Sequence, residues 1–474
     1  MSLFKNSISI PKEKRLFTNK QLVLFLIPMF LQQILNVMVG AVDTMMVSSA
    51  GEAAVSGVSL ISTLDGVLII FFTAMIGGGS VVIAQKLGEK NQKDVSESVK
   101  QLLYVATALA VILTITVEIL RGPMLSLLFG EAEAAVMNSA NEYFMFVALS
   151  FPLVAIAESL GASFRSSGHT FISLIVSIIA NLVNVCGNAI LIYGFGMGAA
   201  GAAIATIIAR AVSSTILITL ILNKKYEVHI EKILKYKPDF AIIKKIMGIG
   251  IPNGIENTMF QFGRLITQTL IALLPTAMIA ANAVSLTICN FQYMTGTACS
   301  IVMITVVGRC IGAGDLEQAK YYSRKLLLIN YLVLWGVILL TLVFLFPLVS
   351  AYGLSGESAE MARNLIILHS IVAALIWPIG FMLPSAFRAA GDVRFPMIVS
   401  SLSMWIMRVM LAYFFALPSV SVFGLFSLPG LNLGITGVWI AMFSDWVVRV
   451  GIYIWRYFSG AWLKSHKKQK KTSE

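Results

Sequence analysis

Charge is what this chain has least of. Only 12% of its 474 residues are Asp, Glu, Lys or Arg, about half the roughly 25% of an average soluble domain. That deficit excludes a water-soluble globule built around one large core. Histidine and cysteine are scarce too, at four each. Cys186, Cys289, Cys299 and Cys310 lack metal-ligand spacing and fall mostly in apolar stretches. They read as small packing residues and imply neither a disulfide framework nor a metal centre. His169, His229, His369 and His466 are scattered along the chain. No Gly-rich phosphate loop followed by Lys occurs, and no Ser/His/Asp or paired-carboxylate pattern. The chain is therefore expected to be no enzyme, to carry no cofactor and to draw its energy from an ion gradient.

Apolar residues fill the space that charge leaves, at 58% of the chain. A helix crossing the roughly 30 Å hydrocarbon slab needs about 20 mostly apolar residues. Such stretches lie near 21–45, 53–78, 99–120, 135–160, 170–192, 199–222, 245–272, 277–305, 326–349, 363–387, 393–418 and 434–458. The expected fold is an all-α integral membrane protein of twelve transmembrane helices. The first twenty residues are polar and basic, without a short apolar stretch before a small-residue cleavage site. The first span is thus expected to be retained.

The formal net charge of +12 is distributed by loop. Lys and Arg collect in the N-terminus, in 86–100, 165–169, 223–245, 309–325 and 388–394, and in the tail with Lys464, Lys467, Lys468, Lys470 and Lys471. The loops between hold Glu131 and Glu133, Glu357 and Glu360, or almost no charge. Every second loop is basic, which by the positive-inside rule puts both termini in the cytoplasm. Charge spread in this way is a topology signal and argues against a nucleic-acid partner.

The longest polar connection falls at the midpoint, and the two sides of it resemble each other. KLGEKNQKDVSESVKQL (86–102) aligns with CIGAGDLEQAKYYSRKL (310–326), Gly88 and Gly312 standing 312 − 88 = 224 apart. SFRSSG (163–168) aligns with AFRAAG (386–391), and Pro28 with Pro252. GAAGAAIA (198–205) aligns with GITGVWIA (434–441), after an insertion around 417–431. The expected plan is two pseudo-symmetric six-helix bundles, 1–222 and 246–474, the latter with the basic tail, joined by a cytoplasmic linker at 223–245. Six is an even number, so both bundles enter the membrane in the same sense, as in parallel-repeat transporters. Alternating access uses such a plan.

An ionisable side chain inside a span is costly and is a functional candidate by default. Asp43, in VDTMMVS (42–48), has no basic residue one turn away and is a proton or cation acceptor. Asn184 and Asn188 in the fifth span lie one turn apart and point the same way. Glu256 sits in PNGIENTMFQFGR (252–264) with Asn257 and Gln261 on one polar face and Arg264 two turns on. It and Asp65, mid-way along the second span, are second-rank cation or substrate candidates. Asp445 and Arg449, four apart, read as a structural ion pair that Arg408 can join.

VDTMMVS in the first span, the KLGEKN-type loop, the SFRSSG and AFRAAG turns and GAAGAAIAT opening the sixth span together resemble the multidrug and toxic compound extrusion (MATE) family over about residues 20–460. The resemblance implies a V-shaped pair of bundles. It implies antiport of organic, often cationic, compounds against protons or sodium. It assigns a cation site to Asp43, Asn184, Asn188 and Thr206, with sodium a candidate metal at Asp43. Asn188 stands where many members have Asp, which lowers the negative charge available to hold sodium. The tenth span contains no acid, so a carboxy-terminal carboxylate site of the kind some members use is not expected.

The resulting expectation is a multidrug antiporter of the plasma membrane. Its partners would be small-molecule cargo and membrane lipid, and it would act as a monomer. Two rivals stand beside it. A lipid-linked oligosaccharide flippase predicts a cationic cleft lined by Arg264 and Arg210. A non-transporting membrane protein predicts a catalytic cluster or a large soluble domain.

Overall fold

The computed structural model describes residues 10–49, 51–130, 132–231, 233, 235–354, 356–422 and 426–464. Of the residues read above, Glu131, His466 and the tail lysines 467, 468, 470 and 471 lie outside them. Twelve helical rods make up the described chain. In order, α1 is Asn19–Ser48, α2 Glu52–Gly88 and α3 Gln92–Phe129. Next, α4 is Ala134–Leu149 continued by Phe151–Ser166, α5 Thr170–Asn188 with a wide π-helical end at Ala189–Gly194, and α6 Gly198–Ile221. In the second half, α7 is Phe240–Ile271, α8 Thr276–Gly312, α9 Leu316–Val343 continued by Leu345–Ala351, and α10 Gly356–Phe381 continued by Leu383–Ala389. Last, α11 runs Arg394–Ser403, through a π-helical stretch Met404–Met410, to Leu411–Ala416, and α12 is Gly434–Phe458.

Among the described residues ten of these rods are long and apolar enough to cross a membrane, and the bent α4 makes an eleventh. The twelfth, α7, has 32 residues, roughly 48 Å at 1.5 Å per residue. Its polar side chains Asn253, Glu256, Asn257, Gln261 and Arg264 lower its apolar character. Several helices outrun the expected spans, because their polar ends continue as helix into the loops. One departure from an all-α chain lies in the insertion, where Ser419–Val422 pairs antiparallel with Phe426–Pro429, Val420 facing Leu428.

The internal repeat is written into the backbone. Asn91 caps α3 by accepting from the Asp94 amide, and Asp315, at the matching position, caps α9 by accepting from the Gln318 amide. Each such cap satisfies an otherwise orphaned N–H of a first turn. Gly168 and Gly391, ending the two FR turns, adopt φ of +85° and +83°. A side chain would be strained in that left-handed region.

Prolines inside helices leave a carbonyl four residues back without its N–H. Three of these carbonyls receive a donor from a neighbouring helix. Thr170 of α5 donates to Leu24, behind Pro28, at 3.2 Å. Thr114 of α3 donates to Ala148, behind Pro152, at 2.9 Å. Trp335 of α9 donates its indole N–H to Ala374, behind Pro378, at 2.9 Å. In a bilayer no water can serve these groups, so helix neighbours must. The break at Ser150, just before Pro152, bends α4 by 45°, where the hydropathy pattern shows only one continuous span.

The contacts divide the chain into two units. One, the N-terminal unit, holds Phe17–Gly254 with Gly312–Gly314; the other, the C-terminal unit, holds Ile255–Ile311 and the chain from Asp315, with the stretch ending at Leu16. Within the N-terminal unit the polar connection between α6 and α7 is strapped to α3. Gln101 donates to the Lys237 carbonyl at 2.7 Å, and Tyr104 stacks on Tyr236 at 4.2 Å. The C-terminal unit has a core of aromatic and aliphatic side chains that includes Trp377, Trp439 and Trp446.

Candidate functional site

In the N-terminal unit four polar side chains from three helices meet in a chain of hydrogen bonds. Asn188 donates from Nδ2 to Asp43 Oδ1 at 2.9 Å and to Asn184 Oδ1 at 3.3 Å. Asn184 donates in turn to Thr206 Oγ1 at 3.2 Å, and Thr206 to the Ala202 carbonyl at 2.9 Å. Asn184 and Asn188 are buried, while Asp43 is half-buried. The π-helical turn of α5 begins directly after Asn188. Wide turns of this kind recur at functional sites.

Asp43 forms no ion pair among the described residues, and Asn188 Oδ1 is buried without a hydrogen-bond partner. The cluster therefore offers one carboxylate and several neutral oxygens. Oxygen ligands with a single negative charge suit a proton or a monovalent hard cation. Among the described residues no group of three or more His, Cys, Asp or Glu gathers as a metal cluster.

Asp65 lies elsewhere in the same unit and is engaged by Arg210 at 3.5 Å. Arg210 also donates to the Ser150 hydroxyl at the α4 break. The sequence shows no partner for Asp65 because Arg210 reaches it from α6. Tyr143 lies within electrostatic reach of both Asp43 and Asp65, a neighbour that no sequence spacing signals.

In the C-terminal unit Glu256 has a different partner from the Arg264 that the sequence suggests. Arg388, of the AFRAAG turn, donates to its Oε1 at 2.8 Å with both side chains largely buried. That ion pair engages the charge of Glu256. Asn257 and Gln261 are half-buried on the same helix. Arg449 donates from Nε to Asp445 Oδ1 at 2.6 Å and to Ser403 Oγ at 2.8 Å. Arg408 forms no ion pair with Asp445, and instead stands over the Phe260 ring at 5.6 Å.

Comparison with known proteins adds identity to this geometry. A model of the MatE family matches residues 28–190 and 252–414, two segments at the offset seen in the internal repeat. The chain is similar to a probable multidrug resistance protein NorM of Thermotoga maritima, 27% identical over 474 residues, covering 98% of this chain and 97% of that protein. It is also similar to the uncharacterized transporter YisQ of Bacillus subtilis, 26% identical over 447 residues, covering 92% and 93%. The fold is similar to that of a MATE crystal structure in the bent conformation, with a TM-score of 0.81 at 19% identity, covering 96% of this chain and 100% of that one. An outward-facing multidrug resistance MATE transporter of the MOP superfamily matches with a TM-score of 0.82 at 18% identity, covering 94% and 96%.

Proposed function

The chain belongs to the MatE family of membrane-embedded multidrug efflux transporters, which are not enzymes, and from that premise we propose that it exports organic cationic or amphipathic small molecules in exchange for protons or sodium. Asp43, with Asn184, Asn188 and Thr206 around it, is the coupling site in this reading. The observation that carries it is the neutrality of Asp43's neighbours. A carboxylate held by an amide can take up a positive charge without first giving up a salt bridge.

Protonation would turn Asp43 from an acceptor into a donor. The unpartnered Asn188 Oδ1 supplies the acceptor that such a donor needs. Loading thus exchanges the hydrogen bond by which α5 holds α1. The same pair of helices is joined again where Thr170 serves the carbonyl behind Pro28. A shift at the acid has a proline break in α1 at which to be absorbed, which makes Pro28 the hinge. An equilibrium between two arrangements moves only if the ligand favours one of them. Here the favouring ligand is the proton or sodium ion.

The alternating basic loops support a plasma-membrane protein with both termini in the cytoplasm, and the single-chain plan supports a monomer. A lipid-linked oligosaccharide flippase needs free arginines in a shared cleft. Arg210 is spent on Asp65, which removes half of that condition.

The deciding experiment is dye uptake into everted membrane vesicles, where export runs inward, with proton and sodium gradients imposed separately. Uptake driven by either gradient is expected. A protein that moves no dye of a broad panel under either gradient is not an antiporter of this class.

A further inference from the structure

A cavity of about 250 Å³ lies wholly within the C-terminal unit. The internal repeat says what it is the counterpart of. The offset relating Pro28 to Pro252 takes Asp43 to Thr267. The offset relating Gly198 to Gly434 takes Thr206 to Met442 and Arg210 to Trp446. Thr267, Met442 and Trp446 all line this cavity. It thus holds, in the C-terminal unit, the place that the acid cluster holds in the N-terminal unit, with the carboxylate gone.

Positive charge takes its place. Arg264 and Arg408 line the cavity, and neither is ion-paired among the described residues. Arg408 lies within electrostatic reach of Arg264, Arg449 and Asp445. Asp445 is already bonded to Arg449 at 2.6 Å, so Arg408 is left without a carboxylate of its own. The orphaned groups on the wall are donors. Arg408 Nε and Trp446 Nε1 are both buried without an acceptor, Trp446 being 2% exposed. An orphaned acceptor, Asp445 Oδ2, belongs to the carboxylate that Arg449 holds.

The aromatic walls do not form a cage for a cation. Arg408 and Arg449 stand over Phe260 at 5.6 and 5.4 Å, and Arg449 over Phe381 at 5.5 Å. Trp377 stacks on Tyr293 and on Phe381, at 5.4 and 5.2 Å. The rings of Phe260, Phe381, Tyr293 and Trp377, whose π faces would attract a cargo cation, are engaged by the protein's own groups. Beside apolar side chains and the neutral polar groups of Thr267, Gln268, Asn282 and Asn290, the charged and unpartnered groups on the wall are two guanidiniums suited to an oxyanion and an indole N–H.

We propose that this cavity binds a small soluble organic anion, a carboxylate or sulfonate on one or two aromatic rings, with its acid group toward Arg264, Arg408 and Trp446. The volume is below the roughly 300–1,000 Å³ of drug-sized sites, which favours a one- or two-ring anion over a two-chain lipid. The proposal goes beyond the coupling reading and does not depend on it, since equilibrium binding requires no gradient.

The test is calorimetric titration of the purified full-length protein in an uncharged maltoside detergent. The probes are 2-naphthoate, the neutral 2-naphthamide and the cationic 2-naphthylmethylamine. The carboxylate is expected to bind at least about tenfold more tightly than either analogue, the scale of a charge-assisted hydrogen bond. Arg264→Gln and Arg408→Gln should each weaken the carboxylate by about tenfold or more on the same scale. Arg264 is exposed, so its variant tests the site even if the half-buried Arg408 variant fails to fold. Equal or tighter binding of the ammonium, or unchanged affinity in Arg264→Gln, would overturn the proposal. In nanodiscs of phosphatidylcholine, adding phosphatidylglycerol should leave naphthoate affinity unchanged. Competitive loss there would give the cavity to a lipid phosphate and overturn the soluble-anion assignment.

Discussion

Asn188 reaches across from α5 to donate its side-chain amide to Asp43 of α1 at 2.9 Å, and no arginine or lysine shares that carboxylate among the described residues. Asp43 is therefore held by a neutral group, whereas Asp65, Glu256 and Asp445 are each held by an arginine. In the proposed antiport, that contrast makes Asp43 the acid that changes its charge.

Asp43→Asn should keep the fold, since an amide fills the same space, and should lower gradient-driven uptake into everted vesicles by roughly tenfold or more, as expected when a coupling group is removed. Expression and thermal stability serve as controls. Uptake equal to that of the parent protein would rule the role out.

Asn188→Asp puts a second carboxylate beside the first. Two negative oxygen donors hold a hard cation better than one. Sodium stimulation of efflux at fixed pH should appear or grow. A sodium response that stays flat or falls would mean that Asn188 does not face the coupling ion.

Thr170 is buried and serves the carbonyl that Pro28 leaves without a donor. Thr170→Val keeps the shape and removes the donor, at an expected cost of about 1–2 kcal/mol. Thermal unfolding in detergent measures it. No loss of stability would show that another group takes over at Leu24.

Glu256→Gln strands the Arg388 guanidinium, and breaking one side of a buried pair costs about 3 kcal/mol. The double variant Glu256→Gln/Arg388→Gln should recover most of that loss, because neither charge is then left alone. If the single variant stays stable but loses transport, Glu256 carries ions rather than structure.

Several features were legible before any tertiary contact was known. Apolar stretches marked the spans, basic loops alternated, and KLGEKN and its partner announced the repeat. Other features were hidden. The break at Ser150 is masked by hydropathy, because serine and proline hardly change an average over twenty residues. The hairpin at Ser419–Pro429 sits inside an insertion with no repeat counterpart to reveal it. Glu256 seemed to look along its own helix to Arg264, yet its partner arrives from α10, 132 residues away.

By itself the sequence determined the solvent, the helices and their doubling, because hydropathy, capping and repetition are properties of the chain read in order. Only the tertiary structure decided which buried charge is answered and which is left free. That choice depends on how far each helix is rotated and how deep it sits against its neighbours, and no window along the chain contains either quantity.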